Sequence, residues 1–291
     1  MFKIVTDDSC DFSLEVLKEA DVALVPFYVT FDGINYLKTR IEISNEDYFH
    51  KLINNKDVFP KTSQPSPRDY MDVCIPYLKE GKDILYVTIS SKLSGSNQSA
   101  QNAAEILREE YPDRKIMVVD TLTATAAHGL ILKQIIKMRD KGLDVSEAAK
   151  LAEEMADESR IFFTADTLEY LHRGGRIGGA SAFLGGLLNL KPVLTLVEGM
   201  VQPVTKVRGM KKTLETMKNL FAEGIKGRES ELDYMVVQIM ALEEAEEFKA
   251  NVERETGIKI NHPVMTAGVA IGTHLGPGGL GITYTKKFEQ E

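Results

Sequence analysis

Residues 83–120, DILYVTISSKLSGSNQSAQNAAEILREEYPDRKIMVVD, decide the fold. Residues 83–89 are rich in β-branched and aromatic side chains and read as a strand. Residues 90–97 are small and polar. Ala100, Ala103, Ala104 and Leu107 then recur at i, i+3, i+4 and i+7, the spacing of one helix face. Residues 115–120 return to a strand pattern. A strand, a helix and a second strand in this order form a crossover unit, and crossover units lay their strands parallel.

The same alternation extends outward in both directions. Residues 2–6 read as a strand that opens into the acidic turn Asp7-Asp8-Ser9-Cys10-Asp11. Residues 22–31 form a second run, in which Pro26 marks an edge or a bulge. Ser44, with Asp47 three residues on, caps a helix through Asn54, and Ser66-Pro67 repeats the logic for another. Helical periodicity covers residues 124–140 and 145–158. A second lobe starts near Arg160, with a strand at 161–165 and a hairpin of 192–197 with 201–207 around Glu198-Gly199. A helix at 210–223, a strand at 234–240 and a helix at 243–256 follow. Residues 269–271 read as a final strand that runs into the glycine-rich turn 272–279, which carries His274. The expected fold class is therefore α/β, with a parallel sheet flanked by helices in a first lobe (1–160) and a second α/β lobe (161–291). The sequence shows no repeat and no flexible linker, so the lobes should pack closely.

Composition removes several classes of function. A net charge of −8 and the lack of any Lys/Arg run of five argue against nucleic acid as a partner. Two cysteines, Cys10 and Cys74, stand far apart in no metal or redox spacing, which fits a reducing, cytoplasmic setting. The first residues lack the apolar stretch of an export signal, and no apolar run approaches the ~20 residues that span a bilayer. Stable membrane insertion is not expected. The five histidines form no i, i+4 pair and have no nearby cysteine, so no metal site is expected. The glycine patterns of dinucleotide and ATP sites are missing, as is the strained serine elbow of α/β hydrolases.

Three polar segments remain. Lys61-Thr62-Ser63-Gln64-Pro65-Ser66 places two hydroxyls ahead of a helix. Residues 90–97 join a strand to a helix whose first amides lack intrahelical acceptors and attract an anion. Residues 272–279 hold His274 among glycines that allow close approach of the backbone to a ligand. Each has an ordinary structural explanation as well: hydroxyls before a helix are caps, a lone histidine is a hydrogen-bond partner, and glycine-rich turns are turns. Ser94 and His274 also form a nucleophile and base for a serine hydrolase of acyl esters, provided the fold brings an acid such as Asp7 or Asp120 to the histidine.

Taken in order, five stretches resemble the DegV family across nearly the whole chain, about residues 3–285. They are Thr6-Asp7-Asp8-Ser9-Cys10-Asp11, Lys61-Thr62-Ser63-Gln64-Pro65-Ser66, Ser90-Ser91-Lys92-Leu93-Ser94-Gly95-Ser96, Tyr170-Leu171-His172-Arg173-Gly174-Gly175-Arg176-Ile177 and Gly272-Thr273-His274-Leu275-Gly276-Pro277-Gly278. Asp8 departs from the serine usual in the family, and is expected to matter little because it lies outside the head-group contacts. The resemblance implies a two-lobed protein with one long-chain fatty acid, such as palmitate, stearate or oleate, between the lobes. It further implies a carrier without catalysis or cofactor of its own. Such a carrier presents the fatty acid to an ATP-dependent fatty acid kinase subunit and takes the acyl-phosphate toward phospholipid synthesis.

Carried over by motif position, Thr62, Ser63 and Ser94 hold the carboxylate with His274 hydrogen-bonded close by. Hydroxyls, an imidazole and helix-start amides are sufficient donors, so no Lys or Arg is needed at the head group. Arg173, Arg176 and Arg208 are basic features of an acidic chain, and are expected to meet the kinase or the phosphate of its product. Residues 182–188, Ala182-Phe183-Leu184-Gly185-Gly186-Leu187-Leu188, serve equally as a wall of the lipid tunnel or as an ordinary core helix. Another apolar acid, a sterol or retinoid-like acid, would use the same head-group site.

Overall fold

The computed structural model describes residues 1–55, 58–183 and 190–289. Its N-terminal half runs β1 (Lys3–Asp7), α1 (Leu14–Glu19), β2 (Val22–Val25), β3 (Tyr28–Thr30), β4 (Leu37–Lys38), α2 (Asn45–Asn54), β5 (Lys61–Ser63) and α3 (Pro67–Lys79). It continues with β6 (Ile84–Thr88), α4 (Ser96–Glu110), β7 (Ile116–Asp120), α5 (Thr125–Asp140) and α6 (Val145–Glu158). Strands β2, β1, β6 and β7 lie side by side in that order, every pair parallel, as the crossover reading requires.

This sheet is buried on both faces, which is why its strands are almost wholly apolar. Ile4, Leu85 and Val119 face α5 and α6, whereas Val5, Ile84 and Tyr86 face α3 and α4. The caps stand where the sequence places them. Ser44 Oγ accepts from Asp47 N at 3.0 Å, and Ser66 with Asp69 forms a complete capping box ahead of Pro67.

The remaining elements are β8 (Arg160–Thr164), α7 (Glu169–Arg173), β9 (Leu190–Val197), β10 (Met200–Arg208), α8 (Met210–Ile225), β11 (Leu232–Gln238), α9 (Leu242–Thr256), β12 (Met265–Thr266), α10 (Val269–Leu275) and β13 (Leu280–Lys286). They build a six-stranded, mainly antiparallel sheet of order β10-β9-β8-β13-β11-β12. Glu198 and Gly199 both have positive φ (49° and 78°), the backbone of the tight turn that their sequence suggested. Val236 and Ile282 pack under α8 and α9 on one face, while Val237 and Phe163 look from the other face toward the first lobe.

Two readings change. Residues 22–31 are not one strand: the chain turns at Pro26, β2 joins the parallel sheet, and β3 enters a separate antiparallel sheet of order β4-β3-β5. Residues 269–275 are a helix rather than a strand leading to a turn, so His274 lies in the last turn of α10. A short apolar run fits both periods, and only its packing decides between them. The central strand β13 begins just after the glycine turn. Residues 184–188 of the suggested tunnel wall lie outside the described residues.

Candidate functional site

A cavity of about 920 Å³, open mouth included, lies between the two lobes. Its walls come from β8 (Ile161, Phe163), the β9–β10 hairpin (Leu196, Val201) and α10 (Ala270, Ile271), with Ile89 and Leu93 opposite. Polar side chains on the wall are few: Thr62, Gln64, Ser94, Thr125, Arg176, Gln238 and His274. Such a lining excludes water from a hydrocarbon ligand and orients it at a small number of polar groups.

Thr62, Ser94 and His274 meet there although they are far apart in sequence. Thr62 sits on β5 opposite Val29 of β3, and its Oγ1 lies 2.7 Å from His274 Nε2. Ser94 stands in the loop between β6 and α4, where its Oγ accepts from Ser96 N at 3.2 Å. The loop is fixed from beneath by buried Asp7. One Asp7 oxygen accepts from Ile89 N (2.9 Å) and Ser96 Oγ (2.8 Å), and the other accepts from Ser9. His128, buried beside Ser9 and Thr6, completes this support and is held neutral by its burial.

Burial, reinforced by the charge of Arg176, pushes the His274 imidazole down to about 4. The ring is therefore neutral near pH 7. It is a hydrogen-bond partner and not a cation, and its buried Nδ1 has no partner among the described residues. Gly174 makes room for that nitrogen: a Cβ there would stand 2.2 Å from it. Gly95 likewise leaves space for Gln64, a cavity residue in the expected segment that was not singled out from sequence.

Not every expected residue joins the cavity. Ser63 is exposed, because alternate residues of a strand face opposite ways and Thr62 faces inward. Read from sequence, both hydroxyls stand ahead of a helix without a strand, and the pairing of β5 with β3 is what sets them on opposite faces. The three arginines separate. Arg173 is exposed, pairs with Glu169 (2.6 Å) and stacks over Phe59, and Arg208 is exposed at the end of β10. Arg176 instead lines the cavity, donating from Nε to Leu93 O (3.0 Å) and from Nη1 to Gly174 O (2.5 Å), with no carboxylate paired to it among the described residues. Read from sequence, the head group needs no Lys or Arg, yet Arg176 lines the same cavity as Thr62, Ser94 and His274. No local pattern signals this placement, since it arises from the return of the chain after α7.

The residues do not assemble a serine hydrolase triad. His274 Nε2 is taken by Thr62, and its Nδ1 meets no carboxylate among the described residues. Asp7 is committed as described, and Asp120 accepts from Ser91 N and Leu122 N. Asp8, which is not among the residues lining the cavity, is buried against Arg40 (2.7 Å) and accepts from Thr39 Oγ1 (2.6 Å). No group of three His, Cys, Asp or Glu among the described residues is placed to hold a metal ion, and no helix among them is long and apolar enough to cross a membrane.

Comparison with known proteins agrees with this architecture. The family model described as "Uncharacterised protein, DegV family" matches residues 1–287. A DegV domain-containing protein of Clostridium perfringens is 30% identical over 285 residues, covering 98% of this chain and 99% of the relative. A stearic acid-binding protein from Eubacterium ventriosum superposes with a TM-score of 0.93 at 31% identity, over 99% of each chain. A fatty-acid-binding DegV family protein from Thermus thermophilus superposes at 0.86 with 34% identity, covering 98% of this chain and 99% of that one.

Proposed function

Because this chain belongs to the DegV family, we propose that it binds one long-chain fatty acid between its lobes and carries it without transforming it. The observation behind this reading is the cavity itself, apolar along most of its wall, with Thr62, Ser94, His274 and Arg176 among its few polar groups. The carboxylate is received by the two hydroxyls and the neutral imidazole, and unpaired Arg176 supplies a positive potential to a head group that would otherwise be buried without compensation. The tail supplies most of the affinity: at ~0.8 kcal/mol per buried methylene, a chain of about sixteen carbons gains on the order of 10 kcal/mol before ordering costs. The stearic acid-binding and fatty-acid-binding relatives support the choice of ligand.

The further role is presentation of the carboxylate to an ATP-dependent kinase subunit and carriage of the acyl-phosphate toward phospholipid synthesis. It is supported by the five-motif resemblance alone. The cytoplasmic setting rests on composition.

Mass spectrometry of lipid extracted from the purified protein tests the reading. A stoichiometric, unmodified C16 to C18 acid is the expected result. An empty protein that takes up no oleate, or one that turns over acyl esters in a manner abolished by Ser94→Ala, would overturn it in favour of no lipid role or of hydrolysis.

A further inference from the structure

The seven residues of α10 carry His274 at one end. Near the cavity, His274 meets Thr62. In the middle, Thr273 Oγ1 lies 2.7 Å from Tyr48 OH, and Gly272 packs so closely on Phe49 that a Cβ would fall 2.6 Å from the ring. The far end has no cap of its own, because its N-cap is Gly268. The missing acceptor comes from 257 positions away: Asp11 Oδ1 accepts from Gly268 N at 2.8 Å.

Asp11 is held firmly for this task. It is buried, with a left-handed backbone (φ 58°), an uncommon conformation for a residue with a side chain. Its neighbour Arg40 is also left-handed (φ 67°), approaches Asp11 Oδ1 to 3.9 Å, pairs with Asp8, and donates to Phe12 O at 3.0 Å. Asp11 and Arg40 thus meet in an uncommon backbone conformation, and such conformations persist only where the surrounding structure over-determines them.

We propose that Asp11 is a positioning residue for the fatty-acid head group. By fixing the Gly268 end of α10, it fixes the place at which His274 meets Thr62 and the ligand. The helix is only about 10 Å long, so a tilt of the Gly268 end about the contacts at its middle also moves the His274 end. Hydrogen bonds at the head group lose their strength over a few tenths of an ångström. The inference rests on the reading of His274 as a carboxylate-site residue.

A double-mutant cycle tests it, with oleate titrated into delipidated full-length protein. Asp11→Ala and His274→Ala should each weaken binding about tenfold, and the double variant should be within about threefold of the weaker single one. Multiplying effects, or an Asp11→Ala protein that binds like the parent, would overturn the proposal. A His274→Ala protein that binds like the parent would instead sink the carboxylate reading itself.

Asp11→Asn keeps the volume and an acceptor for Gly268, and should stay within about threefold of the parent; a tenfold loss contradicts the acceptor role. If Asp11→Ala does not fold, hydrogen exchange in the parent decides. Oleate should slow exchange of the Gly268 amide together with those of α10, because coupling between two positions is reciprocal. Unchanged exchange at Gly268 refutes it.

Discussion

Replacing Thr62 by valine removes one oxygen and keeps the shape of the side chain. In the parent, that oxygen lies 2.7 Å from His274 Nε2 on the cavity wall. Two losses follow. The buried imidazole nitrogen is left without its partner, at a cost of about 1–3 kcal/mol. On the proposed reading a hydroxyl is also withdrawn from the carboxylate, and hydrogen bonds to charged groups contribute about 1.5–3 kcal/mol.

The first loss is felt by the empty protein too, so the second sets the change in binding, about 10- to 150-fold in Kd for oleate. Calorimetric titration of delipidated protein measures it, with oleyl alcohol as a control that keeps the tail and lacks the charge. The variant should lose much less affinity for the alcohol than for the acid. Unchanged oleate affinity, or equal losses for acid and alcohol, would refute the assignment of Thr62 to the head group.

Other consequences can be measured as directly. Gly174→Ala is sterically aimed at His274, since its φ of −75° suits alanine while its Cβ would lie 2.2 Å from Nδ1; oleate affinity should fall about tenfold or more, and no change would mean that the ring moves freely. Asp8→Ser leaves Arg40 buried beside a weaker partner and should cost about 3–5 kcal/mol in urea unfolding, so a loss below about 1 kcal/mol would argue against a structural ion pair. The pH response of His274 has a definite sign. Its folded pKa of about 4 lies below the unfolded value of 6.5, so the unfolded chain binds the extra proton and stability is lost as pH falls from 6.5 toward 4. Asp8 (up to about 6) and Asp11 (up to about 7) act oppositely, binding protons in the folded state as pH falls. Comparison with His274→Gln isolates the histidine: the variant should lose about 3 kcal/mol less over that window, and parallel acid limbs would contradict a buried neutral imidazole.

The sequence by itself determined whatever depends on near neighbours. The parallel sheet follows from the strand–helix–strand order of residues 83–120, the caps from Ser44 and Ser66 with acids three residues on, and the hairpin from Glu198-Gly199. In each, the interacting groups lie within one turn or one crossover, so local spacing carries the physics. Motif resemblance brought Thr62, Ser94 and His274 onto one list, and the fold placed them on one cavity.

Only the tertiary structure decided the rest. Residues 269–275 had no local preference strong enough to choose helix over strand, and packing against Tyr48 and Phe49, with Asp11 at the free end, chose helix. Arg176 entered the cavity because the chain after α7 doubles back onto the Leu93 carbonyl, a contact 83 residues long that no window of sequence contains. Burial is a property of the whole fold. It made His274 neutral and set Asp8 against Arg40, for a side chain acquires its environment only once distant segments have closed over it.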